Sequence, residues 1–232
     1  KRIAEHDTDT AAAAGEGLYW KLESKVKKMD SDLNSAVGAV GELFAIRRDL
    51  FEEVETDTIL DDFIISLRIA QKGYKIEYTP NAYAEETASL NVKEELKRKV
   101  RITAGGIQTI LRLNSLLNPF KYGMLTFQYI SHKVLRWTIA PFSLFLVFIL
   151  NLWLVWSHSG WSDLNFYTAF LYLQMVCYLL AAVGWFYENR KLRFKLIFAP
   201  YYFVSINYAS VRGVFRYFRG KQSVNWEKSK RA

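Results

Sequence analysis

Two adjacent carboxylates, Asp61 and Asp62, stand directly before an apolar helical run, Phe63 to Gln71. Side chains of this type in this place can do two things. At a helix N-terminus they satisfy free backbone N–H groups and complement the helix dipole. In a cleft, one of them can take a proton while the other orients it, as a general base requires. A second acidic pair, Asp7-Thr8-Asp9 beside His6, has the spacing of a metal-binding Asp-x-Asp. Such a pair holds a divalent cation only from a rigid strand end. Here it follows no apolar strand and runs into Ala11 to Ala14, so it reads as a solvated linker. The third group is basic: Arg98, Lys99 and Arg101. A guanidinium fork matches phosphate oxygens, and the same cluster with Lys93 and Lys97 also suits an anionic lipid face. Glu94 and Glu95 each precede a cation (Arg98 and Lys99) by four residues, a spacing that allows pairing on a helix surface. Arg101 has Lys97 at that position.

These residues need elements to position them. Gly15 to Lys28 reads as a helix with Leu18, Leu22 and Val26 along one side and lysines on the other. Ala36 to Ile46 reads as a loop entering a strand, where Gly38 and Gly41 let a backbone or a ligand come close. The helix opened by Asp61-Asp62 ends at Gly73. Tyr74 to Tyr78 reads as a strand closed by Pro80, and Ala82 to Glu86 as a further one. The mixture indicates the edge of an α/β domain.

Hydrophobic residues make up 51% of the 232, and they are unevenly spread. Charged and apolar residues alternate up to Trp137, but Thr138 to Trp156 and Leu164 to Tyr187 carry no charge. Roughly 20 apolar residues of helix cross a bilayer core, so both runs qualify. Cys177 sits inside the second run and reads as a small hydrophobe. Lys133 and Arg136 precede the first run, and Arg190, Lys191, Arg193 and Lys195 follow the second; Ser157 to Asp163 has no Lys or Arg. This asymmetry places the basic globular region in the cytoplasm. Trp137, Trp156, Trp161 and Trp185 fall near the expected interfaces, as an aromatic belt would, although core packing is the alternative. Leu196 to Val211 is shorter, contains Pro200, and is followed by Arg212, Arg216, Arg219 and Lys221. A helix lying in the interface keeps that basic end inside, whereas a third crossing would not.

The order of these features resembles the membrane-embedded family 2 glycosyltransferases, relatives of the cellulose, chitin and hyaluronan synthases. The matching pieces run from Gly38-Ala39-Val40-Gly41-Glu42-Leu43-Phe44-Ala45-Ile46-Arg47-Arg48 to Thr58-Ile59-Leu60-Asp61-Asp62-Phe63. Arg68, Gly73-Tyr74, Tyr78-Thr79-Pro80, Ala82 and Arg98-Lys99-Val100-Arg101 continue them, with membrane helices at the family's distance. Asn225-Trp226-Glu227-Lys228-Ser229-Lys230-Arg231 resembles a Trp-x-Lys-x-x-Arg-like tail common near the end of such chains, or is a surface tail with a lone Trp. The resemblance implies that Asp62 is the catalytic base, with Asp61 in place of a usual glutamate. It implies that Arg101 contacts the diphosphate, and it puts Arg98, Gly38 and Gly41 among the substrate-binding residues. Arg98 stands at the family's glutamine and Ile102 at its tryptophan. Isoleucine cannot stack on a sugar, which puts processivity in question.

The fold expected from the resemblance is α/β, the C-terminal part of a GT-A-like domain, followed by interfacial helices and a helical transmembrane region. Residues 1–103 would form the catalytic part and 104–137 interfacial helices, or helices buried against the globular domain. Spans would follow at 138–156 and 164–187, a membrane or interfacial helix at 196–218 and a basic tail at 219–232. The implied activity is inverting transfer from a nucleotide-sugar donor to a saccharide or lipid-linked acceptor, at the cytoplasmic face of the plasma (inner) membrane. Membrane lipids are expected partners and nucleic acid is not. A non-catalytic membrane adaptor or an inactive remnant is the alternative. A divalent metal, Mg or Mn, is expected for the complete enzyme, with ligands outside this chain. The sequence opens on Lys1-Arg2-Ile3 without an initiator Met, which suggests a fragment lacking the nucleotide-binding half. The chain alone is therefore expected to transfer no sugar; turnover of any nucleotide sugar by the isolated 232-residue chain would overturn this.

Overall fold

The computed structural model describes residues 2–3, 11–87, 89, 91–159, 161, 163–187 and 195–223. The His6 to Asp9 segment, Arg190 to Arg193 and the Trp226 tail lie outside the described residues. Strand β1 (Arg2–Ile3) leads to helix α1 (Ala11–Leu33), and an irregular stretch leads to α2 (Asp61–Gln71). Strand β2 (Glu85–Glu86) precedes the long helix α3 (Val92–Arg112). Short helices α4 (Pro119–Tyr122) and α5 (Met124–Tyr129) run into a π turn, Ile130–Val134, and then α6 (Leu135–Trp137). Helices α7 (Ile139–Leu154), α8 (Phe166–Phe186) and α9 (Lys195–Phe218) follow.

The described residues do not show the expected α/β character. Among the described residues the only sheet is the parallel pairing of Arg2–Ile3 with Glu85–Glu86. Tyr74 to Tyr78 is extended, but no neighbouring strand takes its backbone groups. Instead Ser35 Oγ accepts from the Ile76 N–H at 2.9 Å, Ser31 Oγ from the Tyr78 N–H at 2.9 Å, and the Ala36 N–H donates to the Ile76 carbonyl. An extended segment satisfied by the end of a helix needs no sheet.

Helix α1 also turns the opposite way from its apolar pattern. Leu22 is 64% exposed, while Glu23, Lys27 and Asp30 are buried. The reason is pairing. Glu23 meets Lys133 Nζ at 2.6 Å and Arg136 Nη1 at 2.7 Å, and Asp30 meets His132 Nδ1 at 2.9 Å. Glu16, one turn pair earlier, meets Arg98 at 2.7 Å. Burial opposes ionisation of Glu23, but Lys133 and Arg136 outweigh it and hold its carboxyl well below its ordinary range.

The apolar core joins Val37, Phe63, Ile64, Leu67, Ile107, Leu116, Tyr129 and Trp137. The residues expected as interfacial helices, 104–137, thus contribute to the core. Helix α3 runs unbroken across the expected boundary at 103/104, and its far end packs on α2. Asn91 caps α3 by accepting from the Glu94 N–H at 2.9 Å. Trp137 is only 5% exposed and meets the Phe63 ring edge-on at 5.4 Å, so it belongs to the core and not to an aromatic belt. Gly106 makes room for it: a Cβ there would lie 2.4 Å from the indole. Gly213 does the same where α9 crosses α3, since a Cβ would come within 2.6 Å of Thr103 Cβ.

Ile139–His158 and Phe166–Phe186 are long and apolar enough to cross a membrane, and only 17% of each apolar window is buried in the chain. They pack together through Asn151, whose Nδ2 donates to Gln174 Oε1 at 3.0 Å, and through Phe148 against Tyr178. Trp156 and Trp185, at 74% and 69% exposure, lie near their ends.

Glu23→Gln should expose how much the fold relies on the α1 pairs. It leaves Lys133 buried without its carboxylate, a loss of about 3–5 kcal/mol. Thermal unfolding of the variant should show a clearly lower midpoint, and an unchanged midpoint would refute the dependence.

Candidate functional site

A cavity of about 400 Å³ opens where α1, the Ala39–Glu42 stretch, the start of α2 and α3 converge on α6. Asp61 and Asp62 lie on its wall at the first turn of α2. Leu60, the residue before them, provides no side-chain cap. Asp62 is half-buried. Burial raises its pKa above the ordinary carboxylate value; the Phe63 backbone N–H works against this, Asp61 and Glu42 reinforce it, and Lys27 opposes it. The backbone N–H contact satisfies the capping reading in part, but the raised proton affinity is what a base needs.

Gly41 fixes where this carboxylate can sit. A Cβ on Gly41 would lie 2.9 Å from Asp62 Oδ2. Gly38 serves the neighbouring ring instead: its φ is +79°, and a Cβ would fall 2.3 Å from Phe63. Neither glycine therefore leaves space for a ligand at its own Cα, and both admit a side chain of α2. The Gly38 carbonyl accepts from Lys27 Nζ at 2.5 Å, and Val37 O lies 3.3 Å from the same nitrogen. Burial, with Lys133 next, lowers the Lys27 pKa to about 7 against the pull of Glu23 and Asp62. This lysine lies on the same cavity wall as Asp62.

The two arginines separate. Arg98 lines the cavity but is buried, with Nη2 2.7 Å from Glu16 Oε1 and 3.0 Å from Glu95 Oε1. Its charge is balanced by carboxylates of the fold, which makes it a poor partner for a phosphate. Of the pairs expected along α3, Glu95 does meet Lys99, at 3.5 Å, while Glu94 takes Lys97 instead of Arg98. Arg101 is half-exposed beside Asp61, and its Nη2 donates to the Ile59 carbonyl at 3.2 Å. It does not line the Asp62 cavity.

The pattern reading did not single out Tyr19, Trp20, Glu23, Lys27 and Lys133, all of which line this cavity. The available signal was the spacing of Glu16, Glu23 and Asp30, seven residues apart, which puts three carboxylates on one helix face. Ile102 lines the cavity too, and aromatic surface comes from Tyr19, Trp20 and Trp137 instead. Among the described residues no three His, Cys, Asp or Glu side chains converge to hold a metal ion.

The family described as glycosyl transferase family group 2 matches residues 24–187. The chain belongs to this family. The match starts inside α1 and ends just past α8, so it takes in Asp61, Asp62, both arginines and the two long apolar helices. No match was found among curated proteins or among solved structures. Family group 2 membership makes the chain a glycosyltransferase, an enzyme type that moves a sugar from a nucleotide-sugar donor to an acceptor.

Two glycine variants separate the roles of this wall. Gly38→Ala should destabilise the fold by about 1–3 kcal/mol through overpacking against Phe63, seen as a lower unfolding midpoint. Gly41→Ala displaces only the Asp62 carboxylate and should lower kcat in the full-length gene product with little change in the midpoint. The reverse pattern would contradict the assignment.

Proposed function

We propose that this family group 2 chain performs inverting sugar transfer, with Asp62 as the base. The observation that carries the reading is the Asp62 carboxyl itself: half-buried, raised in proton affinity, and set on an aromatic-bearing cavity next to apolar helices. In such a transfer the acceptor hydroxyl gives its proton to Asp62 as its oxygen attacks the anomeric carbon. The bond to the nucleoside diphosphate breaks with inversion, and negative charge grows on the departing phosphates. Aromatic rings such as Trp20 suit the apolar face of a sugar. Of the two arginines, Arg101 is the one we propose to meet the diphosphate, because it is half-exposed beside Asp61 while Arg98 is buried between Glu16 and Glu95.

The same reading takes α7 and α8 as membrane spans, supported by their length and their low burial within the chain. The cationic flank after α8 supports a cytoplasmic site at the plasma (inner) membrane. Lys133 and Arg136 add less to that argument, since Glu23 pairs with both. The acceptor is then a saccharide or a lipid-linked group at the membrane surface, as polysaccharide or glycolipid synthesis requires.

Asp62→Asn in the full-length gene product tests the base. It should lower kcat by about 10²–10⁴-fold with normal membrane insertion. Because the folded state holds the Asp62 proton more tightly than the unfolded chain does, ionising this group costs stability as pH rises through its range. The amide removes that cost, so the unfolding midpoint at neutral pH should stay level or rise. In the unsubstituted enzyme, kcat should fall on acidification at a pH above the ordinary carboxylate range. Transfer unchanged by Asp62→Asn eliminates Asp62 from the role of base.

A further inference from the structure

The C-terminal end of α9 carries a group of cations that the proposed transfer does not use. Arg212, Arg216, Arg219 and Lys221, with Phe215, line a cleft of about 530 Å³ against Val100 of α3. Among the described residues none of the four pairs with a carboxylate. This contrasts with the inner cations Arg98, Lys133 and Arg136, each of which has a carboxylate partner. Four exposed cations around one cleft attract an anion with several acceptor oxygens.

An apolar groove of about 510 Å³ adjoins this cleft, between α3, α7 and α9. Leu111, Ile139, Phe142, Leu146, Val214 and Phe218 are among its walls. The two features meet at one contact: Phe215 of the basic cleft touches Phe142 of the groove edge-on, with ring centroids 6.3 Å apart. Ile139 to Leu146 form the first turns of α7, the end of that helix nearest the globular part. Basic side chains therefore stand where the apolar helix emerges, and the groove runs from them along that helix. Ile139 and Phe218 remain 62% and 69% exposed, so the groove has apolar surface to cover.

We propose that the cleft and groove together bind one anionic phospholipid, with its phosphate among Arg212, Arg216, Arg219 and Lys221 and an acyl chain in the α3–α7–α9 groove. Charge complementarity selects the headgroup and the dry groove selects a hydrocarbon chain, which a soluble phosphate lacks. The site is separate from the Asp62 cavity, which shares none of these residues. The inference rests on the membrane placement of α7 proposed above.

The test uses the full-length gene product in phosphatidylcholine nanodiscs doped with spin-labelled phosphatidylglycerol or spin-labelled phosphatidylcholine. The immobilised fraction of each label is read by electron paramagnetic resonance. The phosphatidylglycerol label should be preferred, and Arg212→Gln/Arg216→Gln/Arg219→Gln should reduce that preference by roughly tenfold or more. All three side chains are exposed, and Arg219→Gln with Lys221→Gln gives a milder variant with the same expected direction. Equal immobilisation of both labels, or a preference unchanged in the variants, overturns the proposal. So does displacement of the label by millimolar inorganic phosphate, which would mark a site for a soluble anion. Carbonate extraction of the same protein keeps the two readings apart. Release from the membrane with the preference intact defeats the membrane placement alone, and firm retention with no preference defeats the lipid site alone.

Discussion

The constraint on which the rest depends is a row of carboxylates that α1 turns inward. Glu16, Glu23 and Asp30 are all buried, and each is held by side chains from another part of the chain. A buried carboxylate without a partner is costly, so these residues can be inside only if their partners arrive as well. Arg98 comes from α3, while His132, Lys133 and Arg136 come from the π turn and α6. Once these pairs form, α1, α3 and the segment leading to α7 have little freedom to shift against one another.

The cavity is a consequence of that arrangement. Its walls include the same helices, and Glu23, Arg98, Lys133 and Arg136 of those pairs line it beside the start of α2. Lys99 shows how tightly the region is packed. Its Nζ lies 3.3 Å from the centre of the Tyr19 ring, and burial lowers its pKa to about 8 although Glu95 acts in the opposite sense. The π turn Ile130–Val134 has its own part in this, because an extra residue per turn changes which side chains face α1. Beside this network of pairs stands Asp62. Its neighbours include more negative charge than positive, and Gly41 allows the carboxyl to stay there.

Much of this was legible in the pattern of residues. The Asp61-Asp62 pair does open a helix, and Gly73 with φ +90° closes it. The two uncharged runs are occupied by α7 with its π turn and by α8. Signals of this kind are local: composition over one helix length, or a turn residue at one position. Other readings failed because they needed to know the neighbours. The apolar side of α1 looked like the buried one, yet Leu22 is exposed, since ion pairs outweigh the periodicity there. Tyr74 to Tyr78 had a strand's residues but lacks a strand's partner among the described residues. Trp137 was placed at a membrane boundary by its position beside an apolar run, and Phe63 with Gly106 draws it into the core.

The candidate site divides in the same way. Asp62 was identified by type and position, and so were Arg98 and Arg101 as a pair of cations near one another in the chain. Their difference was not visible, because one turn of helix separates a guanidinium clamped between Glu16 and Glu95 from one lying beside Asp61. The sequence by itself determined the family, the acidic pair at a helix start and two helices long enough to cross a membrane. Only the tertiary structure decided which face of α1 is buried, which arginine is already neutralised and which side chains share a wall with Asp62. Those outcomes depend on charges brought together from as far apart as Glu23 and Arg136, and pairing across such distances leaves no local trace.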